Sequence, residues 1–143
     1  MTIKFYSTRG AYGCFSNFSG HGFTLDDEYW PTSEHYFQAM KFEGTEHAVA
    51  VRQAKTPGEA AKIGRDRGRP LRDDWEEVKD DVMRRAVYAK FSSHAEIREI
   101  LVGTDDEGIV EDAAHDYYWG CGKDGSGKNM LGQILMEVRD LLS

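Results

Sequence analysis

Cysteine and proline are scarce in this chain: two cysteines, Cys14 and Cys121, and three prolines among 143 residues. Two thiols so far apart in sequence make neither a disulfide framework nor a zinc spacing, so free thiols and a reducing compartment are expected. No apolar run approaches the roughly 18 residues of a membrane span. The start, Met1-Thr2-Ile3-Lys4-Phe5-Tyr6, lacks the basic-then-apolar pattern of a secretion signal. A cytoplasmic protein with no membrane partner is the expectation. Basic residues are outnumbered, 18 Lys and Arg against 25 Asp and Glu, giving a formal charge of −7. That balance argues against a general nucleic-acid binder, which needs cations to replace condensed counterions. It still allows a small phosphorylated ligand, because a few cations can gather in one pocket of an acidic protein. The five histidines, His21, His35, His47, His94 and His115, show no paired ligand spacing, and no G-x-S-x-G elbow occurs. Neither a metal enzyme nor nucleophilic acyl chemistry is indicated, and no cofactor is expected.

What is present suits one globular domain over residues 1–143. The length is close to the commonest domain size, and 40% hydrophobic with 30% charged residues is ordinary for a folded chain. Ile3–Tyr6 and Phe23–Leu25 read as short strands, with a glycine-containing loop from Arg9 to Gly20 between them. Helical patterns follow at about 33–42, 46–54, 57–66, 74–91, 93–102 and 107–114, with Asp73 or Asp74 capping the fourth. The last helix is the clearest: Leu131, Ile134, Leu135, Val138, Leu141 and Leu142 form one apolar stripe, and Asn129 stands where a cap is wanted. The fold class expected is mainly α: a compact multi-helical single domain with a small N-terminal β element.

Three stretches carry candidate chemistry. In the helix from Ser33, the residues Glu34, Gln38 and Lys41 fall at i, i+4 and i+7, on one face. A solvated polar face would look the same, but the row is set among aromatics from Trp30 to Phe42, which suits a pocket for a flat polar ring. The second stretch is Glu111, Asp116, Tyr117, Tyr118 and Trp119, followed by the run Gly122 to Asn129. That run nearly spells a nucleotide phosphate loop, but Asn129 replaces the hydroxyl residue that would bind magnesium. What survives is a glycine-rich loop entering a helix, with Gly127, Lys128 and Asn129 and their N–H groups offered to an anion. Third, Arg65, Arg67, Arg69 and Arg72 make a basic stretch that reads as a solvated loop or as a phosphate clamp.

These residues resemble the YbiA-like, or NADAR, family over nearly the whole chain. The likeness rests on Phe15-Ser16-Asn17-Phe18, Trp30 through Ala39 with Lys41-Phe42, Gly64-Arg65, Leu71-Arg72, Trp75-Glu76, Met83 and Lys90-Phe91. It ends on Asp116, Tyr118-Trp119-Gly120 and Gly127 through Gly132. The resemblance implies a compact, mainly helical domain. It also implies cleavage of the N-glycosidic bond in early intermediates of riboflavin synthesis, releasing ribose 5-phosphate. Other family members look like hydrolases that take ADP-ribose off guanine in nucleic acid, and a non-catalytic ADP-ribose or nucleotide-binding module is a third reading. On the resemblance, Glu34 is the principal carboxylate and Asp116 the second, orienting ribose or water. Lys41 either pairs with phosphate or a ribose oxygen, or attacks an opened ribose as an amine. Trp119 stacks on the heterocycle, with Tyr118 and Gln38 beside the substrate. Asn17 bonds base or ribose, and Arg65 and Lys128 hold phosphate with the loop N–H groups.

Overall fold

The computed structural model describes residues 2–143, which form two compact units. One is Gly20–Lys90; the other joins the described residues up to Ser19 with Phe91–Ser143. The class is mainly helical, as expected, with six α-helices and four short strands among the described residues. No helix there is long and apolar enough to cross a membrane.

In the unit Gly20–Lys90, strand β2 (Phe23–Leu25) pairs antiparallel with β3 (Glu28–Trp30). Asp26 and Asp27 connect them, both left-handed at φ 56° and 65°, the conformation a two-residue hairpin turn requires. The Asp26 carboxylate accepts from Tyr36 Oη at 3.0 Å and from Arg85 Nη2 at 2.6 Å, tying the hairpin to its surroundings. Helix α1 (Ser33–Met40) is capped by Thr32, whose hydroxyl accepts from the His35 N–H. All eight of its residues are buried, polar ones included. His35 shows how: the Thr32 hydroxyl donates to Nδ1 at 2.8 Å, and Nε2–H donates to the Ala54 carbonyl at 3.0 Å. Burial holds this imidazole below its ordinary pKa, with the Ala54 bond opposing the shift. Around α1 pack α2 (Glu46–Arg52), capped by Thr45, and α3 (Pro57–Gly64), capped by Thr56 with proline in its first turn. Edge-to-face ring pairs at 5.1 Å, Trp30 with Tyr36 and Phe37 with Trp75, fill the core. Helix α4 (Trp75–Ser93) starts where the Asp74 carbonyl accepts from the Glu77 and Val78 N–H groups.

In the other unit, β1 (Thr2–Phe5) runs parallel to β4 (Gly108–Glu111), with Ile3 opposite Ile109. This corrects two expectations. The stretch around 107–114 is a strand and not a helix, and the β element is not confined to the N-terminal region. The alternating burial of β1 and the β-branched pair Ile109-Val110 of β4 fit a pleated ladder once the two strands pair. Phe5, Phe15 and Phe91 pack edge to face at 5.8 and 6.0 Å. Helix α5 (Ala95–Val102) and helix α6 (Met130–Leu142) pack together, and α6 also lies on β4. The closeness of that last contact requires Gly132, where a Cβ would sit 2.2 Å from the Ile109 carbonyl oxygen. Arg139 of α6 is buried and donates through Nη1 to Thr104 Oγ1 at 2.9 Å and to the Glu107 carbonyl at 2.8 Å.

Candidate active site

In the unit Gly20–Lys90, the row Glu34, Gln38 and Lys41 is not a solvated face. Glu34 is 6% exposed and Gln38 3%. Gln38 Nε2 donates to Glu34 Oε2 at 2.8 Å. Lys41, at the end of α1, donates through Nζ to the Gly64 carbonyl at 3.2 Å, and the same ammonium lies 5.9 Å from the Phe37 ring centre and 6.0 Å from that of Trp75. Burial pushes the Lys41 amine below its ordinary value; the Glu34 carboxylate opposes that shift and Arg65 adds to it. Lys41 and Gly64 also belong to the wall of an open pocket of about 700 Å³, which Trp75, Arg65, Arg67 and Pro70 help to line. That volume lies within the usual range for small-molecule sites.

The basic stretch divides. Arg72 is saturated by its own unit: Nε and Nη2 grip the two Asp74 oxygens at 2.6 and 3.0 Å, and Nη1 donates to Glu43 Oε1 at 3.0 Å and to the Met40 carbonyl at 3.3 Å. Arg69 is taken by Asp66 and His47. Arg65 and Arg67 are exposed and make no ion pair among the described residues, so of the four they are the pair available to an anion.

In the other unit, Asp116 Oδ1 accepts from the Tyr118 N–H at 3.0 Å and the Trp119 N–H at 2.8 Å, closing the turn that presents both rings. Those rings meet edge to face at 4.9 Å, and Lys128 Nζ stands 5.1 Å over Tyr118. Asn17 is half-buried in the turn after the short helix Gly13–Phe15. The glycine-rich loop behaves differently from expectation. The N–H groups of Gly127, Lys128, Asn129, Met130 and Leu131 donate to the carbonyls of Cys121, Tyr117, Gly120, Tyr118 and Trp119, at 2.6 to 3.1 Å. They form a ladder with the preceding segment, so the start of α6 presents no free N–H row to an anion. Nor does Asn129 cap α6 with its side chain. It takes a left-handed backbone at φ 53°, and its amide bridges β4, with Nδ2 donating to the Ile109 carbonyl and Oδ1 accepting from the Glu111 N–H, both at 2.9 Å. The amide is a strut under the sheet.

The structure therefore gathers Glu34, Gln38, Lys41 and Arg65 in one unit, and Asp116, Tyr118, Trp119 and Lys128 with Gly127 and Asn129 in the other. Sequence spacing missed Gly64 as the acceptor for Lys41 and missed Phe37 and Trp75 as the ring walls beside its ammonium. Gly64 and Lys41 are 23 residues apart, and no local pattern joins them.

A family model described as the NADAR domain matches residues 4–143. The chain belongs to the NADAR family. NADAR relatives cover it almost end to end. An N-glycosidase of Nostoc punctiforme is 51% identical over 98% of this chain and 92% of its own length. The Escherichia coli N-glycosidase YbiA is 50% identical over 99% of this chain and 88% of its own. The solution structure of that E. coli protein matches with a TM-score of 0.91, covering 99% of this chain and 84% of that one. This NADAR chain is accordingly an enzyme, a hydrolase of N-glycosyl bonds.

Proposed function

We propose that the chain cleaves the C–N glycosidic bond of phosphoribosylated pyrimidine intermediates of riboflavin biosynthesis and releases ribose 5-phosphate. The observation that carries this reading is the buried Glu34 carboxylate, held by Gln38 close to Lys41, whose pocket is rimmed by the unpaired Arg65 and Arg67. It combines a carboxylate for a developing cation with cations for a phosphate. A maize relative, 44% identical over 96% of this chain and 24% of its own length, is named a riboflavin biosynthesis protein, which supports the choice of substrate.

Breaking a ribosyl C–N bond builds positive charge on C1′ and the ring oxygen. In this reading Glu34 faces that charge and takes a proton from the attacking water. The water oxygen bonds to C1′, the C–N electron pair leaves with the base, and the base takes up a proton. Water is the only co-reactant. Arg65 and Lys41 hold the phosphate or a ribose oxygen, with Lys128 as a further phosphate contact. Asp116 orients ribose or water, Trp119 and Tyr118 stack on the heterocycle, and Asn17 bonds base or ribose.

Incubating the purified protein with the early riboflavin intermediates should release ribose 5-phosphate. Glu34→Gln should lower that rate by about 100-fold or more while the melting temperature stays close to wild type. DNA carrying ADP-ribosylated guanine is the second substrate to offer. Turnover of that DNA with none of the intermediates would move the assignment to an ADP-ribosyl hydrolase. Borohydride trapping of a ribose–protein adduct at Lys41 would replace its electrostatic role with a covalent one.

A further inference from the structure

Gln38 presents an anomaly. Its Nε2 donates to Glu34, but its Oε1 is buried and has no hydrogen-bond partner. Folded chains seldom leave a buried amide oxygen unmatched. Turning the amide over would not remedy this. The oxygen would then face Glu34 Oε2 at hydrogen-bond distance, two acceptors with no proton between them if Glu34 is ionised. The orientation that strands Oε1 is therefore the one an ionised Glu34 imposes. Helix α3 encloses the arrangement: a Cβ at Gly64 would lie 2.0 Å from Gln38 Oε1 and 2.8 Å from Gln38 Cβ, so this amide abuts the Gly64 backbone. The Gly64 carbonyl in turn receives Lys41 Nζ. One amide edge is given to Glu34 and the other is closed off against α3, which leaves no accessible oxygen for a substrate to reach.

We propose that Gln38 is a positioning residue and not a substrate contact: it acts through Glu34, holding that carboxylate ionised and aimed, at the expense of its own unmatched oxygen. This rests on Glu34 being the catalytic carboxylate. Steady-state kinetics on the early riboflavin intermediates would compare the full-length wild type, Gln38→Met, Glu34→Gln and the double variant. Methionine keeps the length and unbranched shape of glutamine and removes both amide groups. Gln38→Met should lower kcat about tenfold or more, the size expected for a lost hydrogen bond to a charged group, with KM changed by less than about threefold. In the Glu34→Gln background the same substitution should lower kcat no further, because the group it serves is already gone. A rise in KM at constant kcat would make Gln38 a direct substrate contact and overturn the proposal. So would an undiminished loss in the Glu34→Gln background. If Glu34→Gln alone keeps wild-type turnover, the catalytic reading of Glu34 falls first, which separates the two failures. Should Gln38→Met not fold, Gln38→Leu is measured against the same two outcomes.

Discussion

Two regions of this molecule look equally suited to a ligand in the sequence, and they use their polar groups in opposite ways. The glycine-rich run before α6 has the residues of an anion cradle, yet five consecutive N–H groups and the Asn129 amide are all matched within their own unit. The α1 row has the residues of a solvated helix face, yet it is buried, with a stranded amide oxygen, a lysine displaced from its ordinary pKa and unpaired arginines close by. A satisfied network gives rigidity; one that strands an amide to hold a carboxylate, and leaves cations unpaired beside it, is where chemistry has something left to gain. Glycine content or charge spacing cannot distinguish the two. What decides is where each backbone and amide group finds its partner.

The strongest way to break this comparison is to strain the region whose backbone and Asn129 amide are read as scaffold. Gly132→Ala would drive a methyl group into the Ile109 carbonyl, a backbone atom with little freedom to retreat. Overpacking of this kind costs about 1–3 kcal/mol, and an approach of 2.2 Å points to the upper end. Denaturant unfolding should show the loss. A stability equal to wild type would mean that α6 and β4 are not locked as described.

A pair of substitutions sharpens the contrast. Asn129→Ala strands the Glu111 N–H and the Ile109 carbonyl, so it should lower stability by about 1–3 kcal/mol and leave KM nearly unchanged. Arg65→Ala, at an exposed side chain in the pocket wall, should do the reverse: little change in melting temperature and a KM for the phosphorylated substrate raised about tenfold, roughly 1.4 kcal/mol of lost contact. Thermal melts and steady-state kinetics on the two proteins are sufficient. If Asn129→Ala raises KM instead, the loop is a ligand site after all and the two regions are alike.

How much of this was legible beforehand follows the range of the interactions. Helices α1 and α3 were readable because their signals are local, apolar residues at helical spacing within each segment; the Thr32 and Thr56 caps lie just as close in sequence. The same locality made Glu34, Gln38 and Lys41 neighbours on paper. Strand β4 was misread because its four residues owe their conformation to β1, near the other end of the chain. Asn129 was misread for a related reason: its position before α6 suits a cap, and only β4, far back in sequence, shows what its amide binds. Gly64 beside Gln38 is again a contact between helices that periodicity within either helix cannot reveal.

Lys41 gives a modest stability effect whose sign is informative. Burial holds this amine below its ordinary value in the folded protein, with the Glu34 carboxylate opposing the shift. The unfolded chain, with an unperturbed lysine, therefore binds more protons between the folded pKa and the ordinary one near 10.5, so the wild-type protein gains stability as pH rises through that interval. Lys41→Met removes the titrating group and keeps an unbranched apolar stem between Phe37 and Trp75. Its melting temperature should exceed wild type at neutral pH, and the advantage should shrink as pH rises toward the ordinary lysine value. The same variant should lose activity, because it removes the cation beside Glu34. A variant that is less stable at neutral pH, or whose difference from wild type is constant with pH, would show that the Lys41 ammonium is well accommodated by the Gly64 carbonyl and the two rings. The contrast between a satisfied scaffold and an unsatisfied site would then have to rest on Gln38 and the arginines alone.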